Sequence, residues 1–191
     1  MIYPRLHLDK ESRSLAELSN KSPRAVGLYR YAADLSTSVW MFSYRFEYGP
    51  GQYGPVLRWW RGEPLPEAVL NHIAAGLPIV AHNAQFERIM WNTVMPRQTG
   101  WGDMLPLMTI QQMDCTAARA RAIGLPGDLE RAARVVQAPV QKNAAGSEVM
   151  RKMMKPRAVA FSSETVGHRY WAGTPTTRLL YDTFDQTHLQ V

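Results

Sequence analysis

The sequence has little of what secreted or membrane proteins depend on. It contains one cysteine, Cys115, which excludes an internal disulfide and favours a reducing compartment. No run approaches the roughly 18 consecutive apolar residues of a membrane span. The N-terminus lacks the basic-then-apolar pattern of a signal peptide. We therefore expect a cytoplasmic protein that does not associate with membranes.

What the chain does contain indicates one folded domain with an anionic partner. Its 191 residues, 46% of them hydrophobic, are too apolar for a disordered chain and long enough to bury a core. Lys and Arg total 22 against 16 Asp and Glu, a net charge of +6. A basic surplus favours partners such as nucleic acid, although many soluble proteins are equally basic.

The order of predicted elements is three strands, then alternating strands and helices, then helices alone. Strands are predicted at 3–8, 39–48, 56–60, 78–81 and 112–114. Helices are predicted at 67–75, from the cap Asn83 to 95, at 116–123, 128–136, 147–154 and 163–171, and from 175 onward after the cap Thr174. This order predicts an α/β fold, a mixed sheet flanked by helices, as a single domain over residues 1–191.

Three groups of residues are candidates for site chemistry. Asp9 and Glu11 lie at the predicted end of the first strand, where positions i and i+2 point to the same side. Two adjacent carboxylates suit a divalent cation, and the alternative is a pair of solvated acids at a turn. Asn83 and Glu87 share a helix face at a strand-to-helix junction, where the alternative is an N-cap and a solvated Glu. The third group, residues 181–185, has the spacing Y-x3-D.

The order and spacing of these motifs resemble one known family. The matching segments are Leu6–Ser14, Val26–Val39, Gly62–Pro66, Ile79–Arg88, Cys115–Gly127, Pro139–Lys142, Met154–Arg157 and Leu180–Asp182. Together they resemble the 3′–5′ proofreading exonuclease domain of family A DNA polymerases in its phage form. That domain belongs to the DEDD exonuclease superfamily and has a ribonuclease H-like fold.

The resemblance implies a two-metal site that hydrolyses the terminal phosphodiester of single-stranded DNA and releases nucleoside 5′-monophosphates. Asp9, Glu11, Glu87 and Asp185 would hold two divalent ions, Mg²⁺ or Mn²⁺, and Tyr181 would orient the attacking water. An Asp is more usual than Glu at the position of Glu87. Asn83 would lie beside the last nucleotides of the substrate.

The third motif allows two registers. The spacing Tyr181–Asp185 satisfies Y-x3-D, whereas comparison with the phage pattern L-Y-x-Y-C-x-Q-D-V places Thr183 at the Tyr position and Thr187 at the Asp position. The apolar stripe of this predicted helix includes Thr187 and leaves Asp185 outside. The amphipathic pattern therefore favours the register without an acid, which puts activity rather than fold in doubt.

Basic residues predict the path of a single DNA strand. Lys142 begins a stretch, residues 142–157, that has five basic residues and one acid, and Arg119 and Arg121 lie nearby in the chain. Such side chains can follow a phosphate backbone, and the alternative is a solvated basic face. We expect a single-stranded DNA 3′ end as the ligand.

Three functions remain open at this stage. The first is a metal-dependent 3′–5′ exonuclease, which is either a standalone subunit beside a separate DNA polymerase or a fragment of a longer protein. In a phage it would act in the host cytoplasm. The second is a catalytically weakened module that binds DNA or docks on a polymerase, as Thr183 and Thr187 suggest. The third is an RNA-trimming exonuclease of the same superfamily.

Overall fold

The first strand, β1 (Arg5–Arg13), lies inside a six-stranded mixed sheet. The structure is a computed structural model that describes residues 2–18, 23–138, 148, 150, 152–154, 156–157 and 170–171. The strands that join β1 are β2 (Ser38–Gly49), β3 (Gln52–Tyr53), β4 (Leu57–Trp60), β5 (Ile79–Ala81) and β6 (Met113–Cys115).

The strand order is β3-β2-β1-β5-β6, and β4 also pairs with β2. β1 is antiparallel to β2 and parallel to β5, and β5 is parallel to β6. A separate two-stranded sheet joins β7 (Pro156–Arg157) to β8 (Tyr170–Trp171). This arrangement is α/β and consistent with a ribonuclease H-like fold, as the sequence predicted.

Short helices connect the strands. They are α1 (Leu28–Ala33), α2 (Glu67–Ala74), α3 (Ala84–Ile89), α4 (Met95–Thr99), α5 (Thr116–Ala122) and α6 (Leu129–Val135). A π-helical segment, Met90–Val94, joins α3 to α4, and residues 152–154 are helical. Within the described residues, no helix is both long and apolar enough to cross a bilayer.

Three predicted elements differ from the structure. β1 does not end at Leu8 but continues through the acids to Arg13, because β2 pairs with it along its whole length and overrides the weak strand propensity of Asp and Lys. Asn83 adopts a left-handed conformation (φ 65°) and makes no side-chain cap. Residues 170–171, predicted as helix, form β8 through pairing with β7.

Side chains of β1 alternate between two faces of the sheet. Leu6 and Leu8 lie on what we call the core face, where they join the main hydrophobic core with side chains from α1, α2, α3, α4 and the π-helical segment. Asp9 and Glu11 lie on the opposite face, which we call the acidic face. There a smaller cluster, Trp40, Met41 and Met153, packs beside them.

His72 of α2 gives the protein a pH-dependent stability. Its ring is 4% exposed, and its Nε2 lies 2.9 Å from the carbonyl oxygen of Pro78. Burial lowers the pKa of His72 below the ordinary 6.5 although this hydrogen bond opposes the shift. Protonation therefore favours the unfolded chain, and stability that is present above pH 6.5 is lost as the pH falls through the lowered pKa.

We expect His72→Gln to reduce this pH dependence. Urea unfolding at pH 7.5 and pH 5 would show a smaller loss of stability in the variant than in the wild type. The loss is reduced rather than abolished, because burial lowers the pKa of His7 as well. Equal losses in the two proteins would contradict the assignment to His72.

Candidate functional site

The acid pair stands on the strand that joins the antiparallel and parallel halves of the sheet. Asp9 and Glu11 are two residues apart on β1, so both carboxylates project from the acidic face. Asp9 is half-buried and Glu11 is 9% exposed. The sequence prediction that the two side chains share one side is confirmed by the pairing of Asp9 with Ser43 and Glu11 with Met41.

A polar row crosses the sheet beside Asp9. Asp9 of β1 is paired with Ser43 of β2, and Ser43 is paired with Arg58 of β4, so the three side chains share the acidic face. Ser43 is fully buried, and its Oγ has no hydrogen-bond partner. A buried hydroxyl without a partner is uncommon and leaves hydrogen-bonding capacity next to the acids.

Ion pairs fix the start of β1 to its neighbours. The Arg5 guanidinium lies 3.3 Å from a carboxylate oxygen of Glu47 on β2 and also pairs with Asp114 on β6. His7 Nε2 lies 2.9 Å from the same Glu47 oxygen. These ion pairs connect β1 to β2 and β6. His7, the nearest of the paired residues to the acids along β1, precedes Glu11 by four residues.

Glu87 contacts β1 at Lys10, the residue between the two acids. It belongs to α3, is 2% exposed, and its Oε2 accepts a hydrogen bond of 3.1 Å from Lys10 Nζ. Lys10 also donates to the Glu87 carbonyl oxygen at 3.2 Å and lies 5.4 Å from the ring centre of Trp91. Lys10 follows Leu6 and Leu8 on the core face, so Glu87 forms a buried ion pair there.

The pKa values of Glu87 and Lys10 are both shifted from their ordinary values. Burial raises the pKa of Glu87 to about 7, opposed by the Lys10 ammonium, and the charge of Asp9 adds to the increase. Burial lowers the pKa of Lys10, opposed chiefly by Glu87. Each group therefore depends on the other for its charged form.

The junction between β5 and α3 exposes the side chain of Asn83. Asn83 follows β5 in a left-handed conformation and is exposed to solvent. Beside it, His82 is satisfied by Thr116 Oγ1 at 3.0 Å and the Gly127 carbonyl oxygen at 2.9 Å. Asn83 therefore remains a predicted contact for substrate, whereas His82 has a structural role.

The predicted basic residues are only partly described. Arg119 and Arg121 are exposed on α5, and Arg119 lies 3.1 Å from Asp114. Lys142 lies outside the described residues. So do both registers of the third motif, Tyr181 with Asp185 and Thr183 with Thr187. Their roles remain predictions.

Two of the predicted metal ligands fit a hard divalent cation. The carboxylate oxygens of Asp9 and Glu11 are donors that Mg²⁺ and Mn²⁺ prefer. Glu87 is bound to an ammonium in the core instead. Among the residues that the structure describes, no group of three or more Asp, Glu, His or Cys side chains is placed to hold a metal. An ion at Asp9 and Glu11 would take its other ligands from water, substrate or residues outside the described ranges.

Sequence reasoning missed Lys10, Ser43 and Trp91. A signal for Lys10 was present, because alternation along β1 places it with Leu6 and Leu8 rather than with the acids. Its partner Glu87 is 77 residues away, and nothing local links the two. Ser43 carries no distinguishing pattern in the sequence.

Comparison with known proteins relates the chain to a phage protein. Over 153 residues, 79% of its length, the chain is 29% identical to the DNA polymerase of Bacillus phage SP02. The matched region is 21% of that polymerase, so the chain spans about a fifth of this relative's length. No protein-family profile matches the chain, and no solved structure matches it.

Proposed function

We propose that this protein is a metal-dependent 3′–5′ exonuclease that acts on single-stranded DNA ends in a phage replication system. The observation that carries the proposal is the acid pair Asp9 and Glu11 on one face of a central strand in a ribonuclease H-like sheet. Similarity to a phage DNA polymerase supports DNA as the substrate. The protein would work with DNA polymerase activity, in the host cytoplasm.

The reaction is hydrolysis of the terminal phosphodiester. Water adds to phosphorus, the bond to the 3′ oxygen breaks, and a nucleoside 5′-monophosphate leaves while that oxygen takes up a proton. A divalent cation held by Asp9 and Glu11 supplies Lewis acidity for this step. Asn83 contacts the end of the strand from the β5–α3 junction. Arg58 and Ser43 add a cation and a hydroxyl to the same face as the acids.

A specific observation favours the second candidate function, a weakened DNA-binding or polymerase-docking module. The Glu87 carboxylate is engaged by Lys10 in the core. If the Thr183–Thr187 register also holds, two of the four expected acidic positions supply no metal ligand. In that case Thr183→Tyr with Thr187→Asp would raise cleavage sharply. No increase in a wild type that already cleaves would exclude this candidate.

A digestion time course tests the proposed activity. The full chain is incubated with 5′-labelled single-stranded DNA and Mg²⁺ or Mn²⁺, with EDTA in a parallel reaction. We expect a descending ladder that requires the metal. Intact DNA that the protein retains would overturn the exonuclease and support the second candidate. Faster degradation of a matched RNA would instead support an RNA-trimming enzyme.

A further inference from the structure

We propose that Lys10 replaces a metal ion as the counter-charge of Glu87, so that the protein binds a single divalent cation at Asp9 and Glu11. This inference rests on the proposed function, because it concerns the ion of the same site. It departs from the two-ion, four-acid arrangement that the sequence resemblance implied. It makes Glu87 a positioning residue that fixes α3 against β1.

Alternation along β1 places Lys10, rather than Asp9 or Glu11, on the core face of the sheet. Asp9 and Glu11 project from the acidic face, opposite Ser43 and Met41. Glu87 meets β1 from the core face through Lys10, the residue between the two acids. Lys10 is therefore the β1 side chain that bonds the Glu87 carboxylate directly.

The Lys10 ammonium is enclosed by protein. The Lys10 side chain is 0% exposed and the Glu87 side chain 2% exposed. Nζ donates to a carboxylate oxygen and the carbonyl oxygen of Glu87, and the Trp91 ring lies 5.4 Å away. Mg²⁺ usually keeps several water ligands, whereas Glu87 and Lys10 bond each other directly and are almost fully shielded from solvent.

Charge balance at Glu87 also opposes a bound dication. A carboxylate that is nine-tenths buried requires a positive partner, and Lys10 already supplies one at hydrogen-bond distance. A dication at Glu87 would face the ammonium as a like charge in a medium that screens poorly. Binding there would require Lys10 to leave the core or to lose its proton.

Titration with Mn²⁺ alone tests this inference without a reaction. Free Mn²⁺ is measured by its electron paramagnetic resonance signal as the metal is added to the full chain. We expect one ion per wild-type chain and none in Asp9→Asn with Glu11→Gln. Glu87→Gln should still bind one ion, and its Mn²⁺ affinity should differ from that of the wild type by less than about threefold. Mutation of a residue that supports a metal ligand typically lowers metal affinity by about 10–100-fold.

The outcomes separate this inference from the proposed function. Two ions in the wild type, with one lost in Glu87→Gln, overturn the single-ion inference and leave the exonuclease standing. No ion in the wild type overturns both. If Glu87→Gln does not fold, the double variant Lys10→Met with Glu87→Met removes both charges at similar side-chain length. That variant must still bind one ion, and loss of its ion overturns the inference.

Discussion

Lys10→Ala should lower the free energy of unfolding by about 3–5 kcal/mol, because it leaves the Glu87 carboxyl buried without its partner. The truncation also removes a fully buried aliphatic stem, whose ammonium lies 5.4 Å from the centre of the Trp91 ring. Urea unfolding at pH 8 measures the effect where the wild-type Glu87 carboxyl, with its pKa near 7, is mostly ionised.

Two matched controls show that the loss comes from the buried charge. Lys10→Met with Glu87→Met should recover most of the stability, since an apolar pair can replace a buried ion pair at little net cost. Arg134→Ala breaks an exposed ion pair with Glu130 on α6 and should leave the free energy of unfolding nearly unchanged. A loss of less than about 1 kcal/mol in Lys10→Ala would contradict the buried pair.

Asp9→Asn should reduce metal-dependent cleavage of single-stranded DNA by at least about 10²-fold. Lewis-acid stabilisation is worth several kcal/mol, and each 1.4 kcal/mol is a factor of about ten in rate. Asn has nearly the shape of Asp, so the fold is retained while an anionic ligand is lost. Initial rates on 5′-labelled DNA measure the effect.

Asp103→Asn is the control for that substitution. Asp103 is exposed in the 3₁₀ turn Gly102–Met104, away from β1, and the same chemical change there should leave the rate unaltered. Circular dichroism should show the same fold in both variants. Equal rates in Asp9→Asn and the wild type would remove Asp9 from the site.

Local patterns in the sequence were sufficient for much of the fold. The β2 and β4 strands are rich in aromatic residues, and the apolar residues of α3 and the segment after it recur at helical spacing, so both were predictable. The extension of β1 through Asp9 and Glu11 could not be predicted, because it depends on pairing with β2 rather than on the strand propensity of the segment itself. The left-handed Asn83 likewise occupies a position that reads as an ordinary N-cap.

The candidate site was predictable where it follows from spacing along one strand. Asp9 and Glu11 share a face for that reason. The contact partner of Glu87 could not be deduced in this way. Helical periodicity shows which residues share a face, but it does not identify the residues that pack against that face. The partner was set by the packing of α3 over β1, which brings together residues that are 77 positions apart.

That separation along the chain also has a consequence during synthesis. At about 5–20 residues per second, the ribosome makes Glu87 about 4 to 15 s after Lys10. The β1–β2 hairpin can pair once β2 is complete at Gly49, about halfway through that interval, yet its Lys10 ammonium then has no anionic partner and must stay hydrated. We therefore expect the face of the nascent hairpin that carries Leu6 and Leu8 to remain wet until α3 arrives, and a newly made chain to be most exposed to proteases and chaperones in that window.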